Sequence, residues 1–158
     1  MRKIVLVMVA SVLLGCGSDS DDTKPTPSDS RAEALGYAND NLPCASEADC
    51  CVVFDGCRAN GLIVALADKD KVAALLASAP DDMCLACISP AVQVKCVSGK
   101  CSGVELIPGQ GANMEDGEAA RKDHCGALPM PTGWSEQSYS VSAPPAGLSP
   151  AKVIGCGT

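Results

Sequence analysis

The chain has 158 residues, a formal net charge of −7 and 11 cysteines, but only one Trp, two Tyr and one Phe. One domain with tails is the natural organisation at this length, and so few aromatic side chains cannot anchor a large core. The acidic balance argues against a nucleic-acid partner, because phosphate recognition needs clustered Lys and Arg.

Residues 1–15 begin Met-Arg-Lys and continue through an apolar run from Ile4 to Leu14 in which only Ser11 is polar. A basic start, a short apolar stretch and a small residue at its end form the pattern of a secretory signal peptide. As a helix the run rises about 16 Å, roughly half the hydrocarbon thickness of a bilayer, so a permanent span is not expected. Its end, Leu13-Leu14-Gly15-Cys16, resembles the lipobox of bacterial lipoproteins, although Leu14 stands where a small residue is commoner. The resemblance implies that Cys16 is acylated and becomes the first residue of the mature chain, so that the membrane is a partner through a lipid anchor. It also implies the outer membrane rather than the inner in a two-membrane cell, since Gly17 occupies the position where Asp favours inner-membrane retention. Residues 16–31 then read as the lipidated Cys and a disordered acidic tether. Gly17 to Arg31 contains no aliphatic residue, and such a segment cannot bury enough surface to offset its ordering entropy.

The region 32–106 reads as a cysteine-rich core domain. Cys44 to Cys101 is about 14% cysteine, the level of a disulfide scaffold. With Cys16 assigned to lipid, Cys44, Cys50, Cys51, Cys57, Cys84, Cys87, Cys96, Cys101, Cys125 and Cys156 remain. Their even number suits complete pairing outside the reducing cytosol. Cys50 to Phe54 is a short β-rich run ended by Asp55-Gly56, and Asn60-Gly61 signals a turn. On an extended strand Cys50 and Cys51 point to opposite faces, so they are expected to pair with different partners. Leu62 to Ala67 is apolar but too short to assign by periodicity. Asp68 is placed to N-cap a helix over 69–78, with Val72, Leu75, Leu76 and Ala79 on one face and Pro80 as its stop. Ala91 to Val97 alternates, with Val92, Val94 and Cys96 opposite Gln93 and Lys95. Ser98-Gly99 turns the chain back, so 91–106 reads as a hairpin. The fold class expected is a small disulfide-rich α+β domain, one amphipathic helix against a short β-meander.

Residues 107–158 read as a Gly/Pro-rich extension, with 107–122 an exposed loop and Trp134 and Tyr139 as the best anchors. Cys125 and Cys156 follow all the other cysteines and sit in Gly-flanked turns, so they are expected to bond to each other. Pairing among the other eight stays open.

Catalytic and metal motifs are weak. Cys84-Leu-Ala-Cys87 has the spacing of thiol–disulfide oxidoreductases, but Ser89-Pro90 leaves no room for the helix that would lower the thiol pKa. A zinc set from Cys84, Cys87, Cys96 and Cys101 lacks finger spacing, and an oxidising compartment removes the thiolates it needs. Asn113, Glu115, Asp116 and Glu118 lack the alternating acidic run of a calcium loop and read as a solvated turn. His124 is the single histidine, no G-x-S-x-G elbow occurs, and Asp81 and Asp82 are adjacent and diverge. No metal or cofactor is expected. The sequence therefore reads as a lipid-anchored cell-envelope lipoprotein with a non-enzymatic binding or structural module. Its ligand, protein or small molecule, is unspecified, and Asp55 to Gly61 is a rigid segment that could present a contact. The competing reading is an envelope thiol–disulfide oxidoreductase using Cys84 and Cys87.

Overall fold

The computed structural model describes residues 27–56, 59–79, 88–138 and 152–155. Cys16, Cys57, Cys84, Cys87 and Cys156 lie outside these residues, as do Asp81, Asp82 and Tyr139.

Strand β1 (Cys50–Asp55) pairs antiparallel with β2 (Asn60–Ala65), from Cys50 opposite Ala65 to Asp55 opposite Asn60. Two short strands from the far end of the chain flank them. β5 (His124–Cys125) lies beside β1, and β7 (Val153–Ile154) beside β2. A second sheet runs β3-β4-β6, built from the hairpin of β3 (Ala91–Val97) and β4 (Lys100–Pro108) with β6 (Trp134–Gln137) on its edge. Ser98 and Gly99 form the hairpin turn, both with positive φ. The molecule is a small disulfide-rich α+β fold, as the sequence indicates, with two sheets where a single meander was read.

The two sheets face each other through Val52, Ile63, Val92, Val94 and Ile154, with Cys50, Cys101 and Leu42 at the margin. Helices α1 (Pro27–Tyr37) and α2 (Lys69–Ala77) cover the other face of the first sheet, where Cys51, Val53, Leu62, Val64 and Val153 meet Ala34, Ala38, Val72 and Leu76. Both faces of β1 and β2 are therefore dry. A strand buried on both sides has no polar face, so it reads as a continuous apolar run without a period of two. This is why 62–65 carries no legible pattern, while Leu66 and Ala67 belong to the turn that follows.

Four expectations are corrected. The tether does not extend to residue 31, because α1 begins at Pro27, a position where a proline costs the helix no hydrogen bond. The buried positions along it and just after it are Ser30, Ala34 and Ala38, a stripe of small side chains at four-residue spacing. Small residues let the helix backbone approach the sheet closely, and a search for aliphatic residues overlooks them. Asp68 makes no side-chain cap bond. A 3-10 turn over Leu66–Asp68 runs straight into α2, so Asp68 is not in the extended conformation from which a cap reaches back.

The third correction concerns 107–158. It is not an appendage, since it supplies two strands to the first sheet and one to the second. Fourth, Cys125 is bonded to Cys51 and not to Cys156. The antiparallel pairing of β5 with β1 sets Cys125 directly opposite Cys51, and that proximity decides the partner. The other described bonds are Cys44–Cys96 and Cys50–Cys101. Neighbouring Cys50 and Cys51 thus tie β1 in opposite directions, as alternation along a strand requires.

Trp134 anchors the outer face of the second sheet with Ala91, Leu106 and Ala120. Its indole Nε1 donates to the Asn113 carbonyl at 3.1 Å, and the Arg121 guanidinium lies 5.6 Å from its ring centre. Gln93 was placed on the polar side of β3, and it is on that side but buried. Its amide donates to the Leu128 carbonyl at 2.8 Å and accepts from the Leu128 N–H at 3.1 Å. No described helix is long and apolar enough to cross a membrane.

Candidate functional site

The start of α1, the end of β1 and the second half of α2 enclose a cavity of about 350 Å³. Its apolar wall includes Val53, Ala73 and Leu76, and its polar wall is Arg31, Asp55 and Asp123. Arg31 arrives on α1, and its Nε and Nη2 donate to the Asp55 carboxylate at 2.6 and 3.3 Å. The two side chains are 14% and 6% exposed, so this is a largely desolvated, two-point ion pair of the geometry arginine favours. Asp123 closes the rim. Its Oδ1 accepts from the Phe54 N–H at 2.8 Å, which pins the end of β1 to the segment leading into β5.

This arrangement can hold a small polar molecule against an apolar wall, since the volume is at the lower end for ligand sites. None of the described lining residues is Ser, Thr, Cys or His, and the ionisable groups among them are Arg31, Asp55 and Asp123. A second, shallower concavity of about 410 Å³ runs along Leu128 to Thr132 beside Ala119 and Asp116.

The structure separates the other residues singled out from sequence. Cys96 and Cys101 are both in disulfides, with Cys44 and Cys50, so the zinc set drawn through them is not assembled. Asn113 and Asp116 build a turn: Asn113 Oδ1 accepts from the Glu115 N–H at 3.1 Å and its amide donates to Asp116 at 3.2 Å. Glu118 pairs with Lys122 at 2.6 Å, and that partner holds its carboxyl below the usual range. His124 faces the Lys122 carbonyl through Nδ1 at 2.9 Å. A carbonyl only accepts, so Nδ1 carries the proton. His124 Nε2 is buried without a partner among the described residues. Asp55, which opens the segment to Gly61, serves the ion pair, and Cys57 and Arg58 of the same segment lie outside the described residues.

Sequence reasoning missed Arg31 and Lys152. Arg31 was hidden by the acidic, Pro-punctuated run that precedes it. Lys152 is buried at 4% exposure, and its ammonium donates to the Cys101 carbonyl. Burial pushes it below the ordinary lysine range, with Asp40 opposing and Lys100 adding. Its position one residue before the strand Val153-Ile154 was the available signal. No family model matches the chain, and neither does any curated protein or solved structure.

Proposed function

We propose that the chain is a lipid-anchored lipoprotein of the cell envelope whose disulfide-stapled module binds a ligand or partner, or has a structural role, and catalyses no reaction. The observation that carries this reading is the double tie at Cys50 and Cys51, which bond to Cys101 and Cys125 on opposite faces of one strand. A core held in this way belongs in an oxidising compartment, and the basic-apolar start ending in Cys16 provides a route to one. The Arg31–Asp55 cavity supports a binding role, because it sets a paired arginine and carboxylate beside an apolar wall.

Membrane fractionation of the full chain and its Cys16→Ser variant tests the anchor. The wild type should sediment with membranes and resist a salt wash, and the variant should move to the soluble fraction. A variant that stays on washed membranes removes the anchor from the proposal. Thiol titration of the native protein, with an insulin-reduction assay, tests the non-catalytic part. Turnover there would replace the binding reading with thiol–disulfide oxidoreductase activity.

A further inference from the structure

Two disulfides meet at the beginning of β1. The sulfurs of Cys44, Cys50 and Cys101 all lie within 4.8 Å of one another, while Cys44 is bonded to Cys96 and Cys50 to Cys101. The two bonds differ in access. Cys50 and Cys101 are 0% and 1% exposed, whereas Cys44 and Cys96 are half-buried. A thiol from solution therefore meets the Cys44–Cys96 bond first.

A second pairing of the same four sulfurs is within reach. Cys96 and Cys101 are directly opposite in the β3–β4 hairpin. Residues so placed have Cα atoms about 4.5–5.5 Å apart, inside the range a disulfide spans. The remaining two, Cys44 and Cys50, already have neighbouring sulfurs.

We infer that Cys44, Cys50, Cys96 and Cys101 form a thiol-reactive exchange site, whose co-substrate is an external thiolate and whose product carries Cys44–Cys50 and Cys96–Cys101 bonds. The thiolate attacks Cys96 Sγ, the bond to Cys44 breaks, and a mixed disulfide remains on Cys96 while Cys44 leaves as a thiolate. Cys44 then attacks Cys50 Sγ, forming Cys44–Cys50 and expelling the Cys101 thiolate. Cys101 attacks the mixed disulfide at Cys96, forming Cys96–Cys101 and releasing the external thiolate. Two S–S bonds exist before and after. No oxidant or reductant is consumed, and the thiol is regenerated.

The exchange changes what the bonds hold. The starting bonds join residues 52 and 51 positions apart: Cys50–Cys101 fastens β1 to the hairpin, and Cys44–Cys96 fastens the segment before β1 to it. The product bonds close only short local loops, so both of these covalent ties to the hairpin are released. Cys51–Cys125 lies within the first sheet and does not replace them. This goes beyond the proposed function, because it makes the scaffold responsive to thiols, through cysteines other than Cys84 and Cys87.

The full chain, oxidised, is held with substoichiometric glutathione, quenched in acid with N-ethylmaleimide and digested with trypsin without reductant. Cleavage after Lys95, Lys100 and Arg121 makes the product unmistakable: Cys96–Lys100 joined to Cys101–Arg121 and to nothing else. That species should accumulate with time while the free-thiol content stays constant. Glutathione adducts on Cys96 or Cys44 without it would overturn the proposal, and so would complete inertness of both bonds. In Cys96→Ser, the liberated Cys44 should attack the buried bond with no thiol added, so that label appears on Cys50 or Cys101. Label confined to Cys44 would overturn the exchange step.

Discussion

Gly103 sits directly beneath Ile63: a Cβ at Gly103 would lie 2.6 Å from Ile63 Cδ1 and 2.7 Å from Ile154 Cδ1. The two sheets approach closely at this point because β4 presents no side chain there. Gly103→Ala must displace two fully buried isoleucines, and overpacking of this kind costs about 1–3 kcal/mol. Gly36 makes the opposite case, since it lies within α1 with nothing within 4 Å of its Cβ position. Gly36→Ala should gain about 0.5–1 kcal/mol from helix propensity. Urea unfolding of the two variants should shift the midpoint in opposite directions.

Removing one partner of the Arg31–Asp55 pair leaves a charge with 6% exposure facing an apolar wall. Arg31→Met should therefore cost roughly 3 kcal/mol, as expected when a buried ion pair loses one member. The double variant Arg31→Met/Asp55→Leu should recover much of that loss, because both charges are gone. A double variant no more stable than Arg31→Met would show that the pair is not the source of the penalty.

Tryptic mapping of the unreduced protein checks the tail connection. Asp123–Lys152 carries Cys125 and should be found joined to Ala32–Arg58, which carries Cys51. The bond spans 74 positions, and the chain-entropy treatment, which is model-dependent, gives about 4 kcal/mol for a loop of that size. Cys51→Ser/Cys125→Ser should lower the unfolding free energy by a figure of that order. A map joining 123–152 only to 153–158 would return the bond to Cys156.

Lys152 imposes a pH dependence whose sign follows from its burial. Its pKa is lowered by desolvation, so the folded state releases the proton at a lower pH than the unfolded chain does. Stability contributed at this residue therefore increases as pH rises toward the ordinary lysine value of about 10.5. Relative to Lys152→Met, the wild type should gain in urea midpoint between neutral and mildly alkaline pH. The difference also cancels the opposite effect of Lys71, whose pKa is raised by Tyr37 and Glu33 and whose contribution is lost at high pH. A constant difference would mean that the buried amine is not penalised.

How much of this was legible depended on whether the signal was local. The hairpin 91–106 and the helix at Val72 and Leu76 each carry their own period, and both form. The divergence of Cys50 and Cys51 follows from strand geometry alone. β5 was invisible because a two-residue strand has no period, and the run Lys152 to Ile154, strand-like in sequence, names no partner; both pair with strands more than 60 residues away. The Cys125 partner was misread for the same reason: proximity in sequence was used where only register could decide. The ion pair was illegible because Arg31 belongs to a helix whose buried stripe is Ser and Ala.

The first sheet is closed by Val153 and Ile154, and Ile154 is fully buried between the two sheets. A chain emerging amino-terminus first from a ribosome or an export channel therefore exposes Ile63 and the edge of β2 until Val153 and Ile154 have appeared. A product interrupted before Val153 thus advertises its own incompleteness as an open apolar edge. Proteases that read such edges would clear it, while a chain that includes Val153 and Ile154 conceals the signal.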